Sequence, residues 1–340
     1  MSRLAVSLGV AVSTLLAAAP ALAADYFGSD SNLRSSFDNT MDNSDADDPL
    51  SFELGVRYWY SWGAQNFSID GNKLSENDNT QSAEAHFRID DASTGYYAKG
   101  LAGMSFNING TSTGGPVGQP PTVTDGRLSY AGGDVGFSWL GNNSTTKFGP
   151  FAGYMYWNDS PNIGRANFTT GSSTADFSYD PVQNVINGPG NSEEDNVEMN
   201  VLRLGLSGKA NFGNYFDISG ELAAVPYAKI SGDLGAYGFP TVSGPPGSTS
   251  TIQSSVATLD GWGYGAMGEV MVGYHPTSNL AFRVGGRAWY LQGRADSTFN
   301  AVTVTNDSTH TVTGTQQFIS TSNPWSLFRY GLLTEMTYSF

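Results

Sequence analysis

The stretch that decides the fold runs from Leu50 to Trp62 and reads LSFELGVRYWYSW. One face carries Phe52, Leu54, Val56, Tyr58, Tyr60 and Trp62, and the other carries Glu53, Gly55, Arg57, Trp59 and Ser61. Successive side chains of a β-strand point to opposite sides, so this alternation predicts a strand with one apolar face and one largely polar face. Such a strand suits a boundary between an apolar medium and a wet one.

The same alternation returns at the C-terminal end, in FRYGLLTEMTYSF from Phe328 to Phe340. Phe328, Tyr330, Leu332, Met336, Tyr338 and Phe340 share one face there, opposite Arg329, Gly331, Glu335, Thr337 and Ser339. Clear alternation also covers residues 83–90, 202–212, 216–230, 262–274 and 280–290, with less regular versions in 95–108, 125–140 and 146–157. The pattern therefore predicts about ten strands from residue 50 onward.

The connections between these segments alternate in length. Short ones are Asp91–Thr94, Gly141–Thr145, Gly213–Asn214 and His275–Ser278, and long ones are 63–81, 108–124, 158–196, 232–255 and 295–323. This asymmetry predicts an all-β fold, a transmembrane up-and-down antiparallel β-barrel with short periplasmic turns and long extracellular loops. A soluble β-sandwich is the alternative, although it favours turn signals at closer, regular spacing and Greek-key connections.

Composition excludes several classes of protein. The chain has 340 residues and no Cys, so it holds no disulfide framework and no Cys-ligated zinc. Its formal net charge of −15 argues against a nucleic-acid partner, because binding phosphates needs an excess of Lys and Arg. No motif in the sequence indicates a cofactor or a metal, and we predict neither.

The first residues predict export. Arg3 precedes an apolar run, and Ala21-Leu22-Ala23 forms a small-x-small cleavage site typical of secretory signal peptides. We therefore predict a signal peptide over residues 1–23, a polar periplasmic extension over 24–49 and the barrel over 50–340. The extension is rich in Asp, Ser and Asn, and it offers little apolar surface to bury.

If the apolar faces meet lipid, the opposite faces line the lumen. The predicted lumen charge network comprises Glu53, Arg57, Glu84, Arg88, Arg203, Glu221, Glu269, Arg283, Arg287, Arg329 and Glu335, and Arg127 and Lys229 share the same face in the pattern. Buried charges need partners, so nearly balanced signs predict a paired network. Two interpretations remain open: a selectivity-tuned pore, or a polar filling that holds a ten-stranded barrel closed.

The signal peptide, the ten amphipathic segments and the terminal aromatic residue together resemble small Gram-negative outer-membrane β-barrel proteins. The family's last strand is read by the barrel-assembly machinery. Tyr338, Phe340 and Gly331 match its pattern, whereas Thr334 departs from the usual apolar residue. Ala24-Asp25-Tyr26 also resembles the start of alphaproteobacterial porin-family proteins. The resemblance implies an outer-membrane location and, as partners, membrane lipid, lipopolysaccharide and the assembly machinery.

Three functional hypotheses follow from this architecture. The first is an integral outer-membrane protein with a structural or surface-interaction role and limited small-solute permeation. The alternatives are a narrow diffusion porin and an omptin-like protease, whose family uses paired Asp and an Asp–His couple at the extracellular rim. His86 falls within a strand, His275 in a periplasmic-side turn and His310 in the last long loop, without suitable partners. We therefore predict no catalytic residue and no enzyme activity.

Overall fold

A computed structural model describes most of the predicted barrel. It covers residues 50–69, 72–114, 122–123, 125–139, 146–162, 178–180, 185–187, 196–234, 245–253, 255–305 and 312–340. The predicted signal peptide and the N-terminal extension lie outside the described residues. Within those residues, no helix is both long and apolar enough to cross a membrane.

Ten long strands form the wall. They are β1 Leu50–Ile69, β2 Asn72–Asp91, β3 Tyr96–Thr113, β4 Gly126–Phe137, β5 Thr146–Pro161, β6 Asn196–Phe212, β7 Phe216–Leu234, β8 Ala257–Tyr274, β9 Leu280–Thr305 and β10 Val312–Ser339. Short strands Thr122–Val123 and Thr249–Gln253 add to β3 and β9, and Ser178–Asp180 pairs with Val185–Asn187. The wall strands run from 12 to 28 residues, longer than the roughly 9–11 that a tilted membrane strand needs.

Each wall strand pairs antiparallel with its neighbours in the chain, and the ring closes where β10 pairs with β1. Leu54 lies opposite Tyr338 in this closing pair. Beyond it, the backbones of Phe52 and Phe340 exchange two hydrogen bonds of 3.0 and 3.2 Å. The predicted up-and-down barrel is therefore confirmed, and the sandwich alternative is wrong because the wall is a single closed sheet.

The outer surface is apolar. Leu204, Val270 and Leu332 are 47, 55 and 59 % exposed, although each is aliphatic. On β8, Tyr264 and Tyr274 face outward with ten residue steps between them. Ten steps span about 33 Å along a strand, or about 25 Å of height at the usual tilt, which matches the apolar band of outer-membrane barrels.

The bounds of two predicted long loops, 63–81 and 295–323, are wrong, because strands continue through most of both. β1 extends to Ile69 and β2 begins at Asn72, so the ladder covers most of 63–81. At the far end of β9 and β10, Phe299 stacks on Phe318 with ring centroids 5.6 Å apart. Thr-rich segments support strands as well as loops, and composition alone did not separate the two.

The tight turns lie at the other end of the barrel, where both β1 begins and β10 ends; we call this the short-turn end. After β2, the hydroxyl groups of Ser93 and Thr94 donate hydrogen bonds of 2.6 and 2.7 Å to the Asp91 carboxylate. These bonds stabilise the charged form and lower the pKa of Asp91 to about 2. The turn is thus held by local side-chain hydrogen bonds.

A closed barrel of this kind predicts heat-modifiable migration. We expect the mature protein, refolded in detergent, to migrate differently on a denaturing gel before and after boiling, because unboiled barrels keep their backbone ladder. Identical migration of boiled and unboiled samples would count against a closed wall.

Candidate functional site

The half of the lumen nearer the short turns holds a charged chamber. It contains eight basic and eight acidic side chains: Arg57, Arg88, Lys99, Lys147, Arg203, Lys209, Arg283 and Arg287, with Glu53, Glu84, Asp90, Asp134, Asp217, Glu221, Glu269 and Glu335. The structure places every member of the predicted charge network except Arg329 in this chamber, whereas Arg127 and Lys229 lie elsewhere. The equal numbers let each buried charge find a partner, which its removal from water requires.

Arg287 lies at the top of the chamber. Its guanidinium binds Glu84, with Nη2 3.2 Å from Oε2, and its Nε donates to Glu269 at 2.8 Å. Tyr130 donates a further hydrogen bond of 2.5 Å to Glu84. The same guanidinium lies 5.0 Å from the ring of Trp59, close enough for a cation–π contact. Arg287 therefore joins the charges below to the aromatic side chains above.

The remaining charges form two groups. Arg203 contacts Asp134 at 3.1 Å and Glu221 at 2.8 Å, and Lys99 also pairs with Glu221. Arg283 lies between three carboxylates, those of Glu53, Asp217 and Glu335, at 3.2, 3.0 and 2.6 Å respectively. A cavity of about 110 Å³ lies among these groups. The chamber is thus partly open space rather than a solid filling.

Above the chamber, aromatic side chains fill the lumen. We call Trp59, Tyr130, Trp157 and Trp289 the aromatic seal; each is at most 3 % exposed. Trp289 contacts the other three edge-on, with ring centroids 4.8 to 5.1 Å apart. Buried aliphatic and Met side chains surround the seal, namely Met155, Met199, Val201, Met267, Leu291 and Leu333. At this level the lumen is packed like a protein core.

Arg329 lies above the chamber in a separate buried cluster. Its guanidinium forms a two-point contact with Asp78, with both distances 2.8 Å, and it also contacts Asp159 at 3.0 Å. Ser61 accepts a further hydrogen bond of 3.2 Å from Arg329. Arg329 is thus a buried, paired lumen charge, and its partners are separate from those of the chamber.

The interpretation of Lys229 as a lumen residue is wrong. The ladder of β7 shifts register between Val225 and Ala228 on the β8 side and between Ala224 and Tyr227 on the β6 side. Pro226 lies in the shift and has no N–H to give to a ladder, which favours a bulge there. After the bulge, Ile230 is fully buried and Lys229 lies outside, paired with Asp260.

Arg127 also lies away from the chamber. It is exposed and donates hydrogen bonds to the side chains of Asn158 and Asn196, at 2.9 and 3.2 Å. Its neighbours Leu128 and Tyr130 are buried and alternate in phase with buried Asp134, so Arg127 takes the opposite face. The prediction that Arg127 faces the lumen is therefore wrong, because the strand keeps one phase from Leu128 through Tyr130 to Asp134.

Glycine makes room for the large inward side chains. A Cβ atom at Gly63 would overlap the side chains of Arg329 and Asp78, and one at Gly263 would overlap the Trp325 ring. Both glycines lie on the inward face of their strands. Their lack of a side chain lets the Arg329 guanidinium and the Trp325 indole lie against the wall at these two positions.

The described histidines lie in the half of the barrel with the short turns. His86 Nε2 is 3.3 Å from Glu335, and His275 Nε2 is 3.0 Å from Asp217. His310 lies outside the described residues. Within the described part of the chain, no group of three or more His, Asp or Glu side chains has metal-binding geometry. The absence of enzyme activity, cofactor and metal stays a prediction.

Sequence reasoning missed the aromatic seal, yet a signal for it was present. Trp59 alternates in phase with Glu53 and Arg57, and Trp289 alternates in phase with Arg283 and Arg287. A large apolar Trp side chain on the same face as the charged residues indicates that part of the lumen is apolar. The predicted lumen lining included only the charged residues of that face.

The comparisons with known proteins bear on the fold. No protein-family model matches the chain, and no curated protein matches it. Among solved structures, the outer-membrane protease OmpT from Escherichia coli is similar, with a TM-score of 0.54 and 11 % identity over 86 % of this chain and 97 % of OmpT. The fold is that of an outer-membrane β-barrel. The translocator domain of the autotransporter NalP from Neisseria meningitidis gives a TM-score of 0.36 and 9 % identity, covering 84 % of this chain and 88 % of that domain.

Replacing Arg287 tests the chamber's charge pairing. We expect Arg287→Met to lower the free energy of unfolding by about 3–5 kcal/mol, because it leaves Glu84 and Glu269 without their main partner. Equilibrium denaturant unfolding in micelles, followed by Trp fluorescence, measures this. Lys229→Gln is the matched control, since it breaks an exposed pair worth at most about 1 kcal/mol. Equal losses in the two variants would contradict the assignment.

Proposed function

We propose that this protein is an integral outer-membrane barrel with a structural or surface-interaction role, in which small-solute permeation is limited. The observation that carries the proposal is the aromatic seal, which fills the lumen above the charged chamber. A diffusion porin needs a continuous wet path, whereas Trp59, Trp157 and Trp289 pack against one another across the lumen. The chamber then acts as a paired, partly open polar layer beneath the seal.

The location in an outer membrane is part of the same proposal. An apolar band about 25 Å tall around a closed wall is suited to lipid on the outside. The predicted signal peptide would direct export, and the terminal strand that ends in Tyr338 and Phe340 would direct assembly. Both aromatic side chains face outward, about 49 and 61 % exposed, with ring centroids 5.4 Å apart.

The surface role rests on the end of the barrel away from the short turns. There β9 and β10 continue beyond outward-facing Tyr290 and Tyr330, as far as Thr305 and back from Val312. Their tips are rich in Thr, Ser, Asn and Gln, which suit water and hydrogen bonding more than lipid. We propose that this hairpin reaches the extracellular side and is the part of the protein that meets external partners.

Conductance in a planar bilayer tests the seal. We expect the wild-type protein to give no stable conductance steps, because packed side chains block its lumen. Trp59→Ala combined with Trp289→Ala should give measurable steps, whereas Trp62→Ala, which removes an outward-facing Trp stacked on Tyr330, should stay silent. Gel migration confirms folding of each variant. Stable wild-type steps would overturn the sealed-barrel proposal in favour of a diffusion porin.

The terminal residue tests the assembly signal. We expect Phe340→Ser to reduce the amount of protein in outer-membrane fractions of expressing cells several-fold, while refolding into micelles in vitro changes little. Phe216→Ser is the matched control, since it also removes an exposed aromatic at the short-turn end. A similar loss in both variants would assign Phe340 only a packing role.

A further inference from the structure

The mouth of the chamber at the short-turn end contains two lysines placed side by side. Lys147 on β5 and Lys209 on β6 are direct register partners across neighbouring strands. Both line the cavity, and their side chains are 40 and 28 % exposed. Like charges directly opposite each other on adjacent strands are destabilising. This arrangement therefore has an electrostatic cost that an anion between the two ammonium groups would remove.

The protein's own carboxylates only partly compensate these lysines. Lys147 Nζ lies 3.4 Å from Asp90, whose carboxylate is already held by Arg88 at 2.6 and 2.9 Å. Lys209 Nζ lies 3.7 Å from Glu53 and 3.5 Å from Asp217, both of which pair more closely with Arg283. Each lysine is therefore the more distant cationic partner of a carboxylate that already pairs with an arginine.

The cavity lining is mixed in charge. Among the described residues that line it, seven are Lys or Arg and five are Asp or Glu. Asp90 and Asp217, which contact Lys147 and Lys209, do not line it, so the two lysines are the cations that a bound anion would meet at the mouth.

Hydroxyl groups also line the cavity. Ser207 and Ser219 are part of the lining beside Lys209, and their O–H groups can donate hydrogen bonds. A ligand with acceptor oxygens therefore fits this site.

We propose that the mouth of the chamber binds a small oxyanion, a phosphate or carboxylate group, between Lys147 and Lys209. A cavity of about 110 Å³ holds such a group together with water. Two sources share this chemistry. One is a soluble anion, which reaches the lysines from the short-turn end. The other is this chain itself, because Asp42, Asp45, Asp47 and Asp48 precede β1, which starts at the same end.

Calorimetric titration with inorganic phosphate at low ionic strength tests the site, using the mature protein in micelles. We expect Lys147→Gln combined with Lys209→Gln to weaken phosphate binding at least tenfold, because the positive charges that attract the anion are gone. Lys229→Gln, which removes an outward-facing lysine, should bind like the wild type. Lys147→Arg combined with Lys209→Arg should retain binding, because the charges remain.

A variant with Asp42, Asp45, Asp47 and Asp48 all replaced by Asn distinguishes the two sources. If the wild type binds phosphate, a soluble anion fills the site; if only the Asn variant binds, the chain's own carboxylates fill it. Both results support the proposal. Equal affinity in the wild type and the Lys→Gln double variant would overturn it, as would no binding by either the wild type or the Asn variant.

Stability provides a second readout that does not depend on calorimetry. A ligand that binds only the folded state raises its stability, so phosphate should shift the denaturant midpoint of the wild type upward. Without phosphate, Lys147→Gln should unfold at the same or a higher denaturant concentration than the wild type, because the lysine repulsion is relieved. A midpoint shift in the Asn variant without one in the wild type would again assign the site to the chain's carboxylates. A loss of stability for Lys147→Gln in both conditions would show a structural ion pair and overturn the proposal.

Discussion

Backbone hydrogen bonds between β1 and β10 close the wall, and the rest of the structure depends on that closure. Lipid offers no partner for an unpaired N–H or C=O group, so a sheet can cross a membrane only as a ring without edges. Closure also determines where every side chain goes, because alternate residues face lipid or lumen. Phe52 and Phe340 extend the closing ladder to the end of the chain.

The lumen combines two ways of filling a narrow barrel. Near the short turns, charges occur in equal numbers and arginines such as Arg283 contact several carboxylates at once. Above them, indole rings and Met side chains pack as in a soluble core. Arg287 belongs to both layers, since it pairs with Glu84 and lies against the Trp59 and Trp289 rings. Such a contact lets a charge lie next to an apolar layer without losing its partners.

The seal separates the chamber from the end where β9 and β10 extend furthest. In the proposed role, other molecules would therefore meet the protein at its two ends: at the long hairpins and, on the opposite side, at the mouth lined by Lys147 and Lys209. The similarity to OmpT lies in the barrel wall. At 11 % identity it shows the fold alone.

The sequence by itself determined the barrel, its strand number and most of the charged chamber, because alternation with period two is a local property that needs no knowledge of neighbours. Residues such as Arg57, Glu84 and Arg283 were assigned correctly to the lumen from phase alone. Only the tertiary structure decided what else enters the lumen. A bulge at Pro226 exchanges the faces of Lys229 and Ile230, and long-range packing brings Trp59, Trp157 and Trp289 from three strands into one layer. Those outcomes depend on contacts between residues far apart in the chain, and no local pattern carries that information.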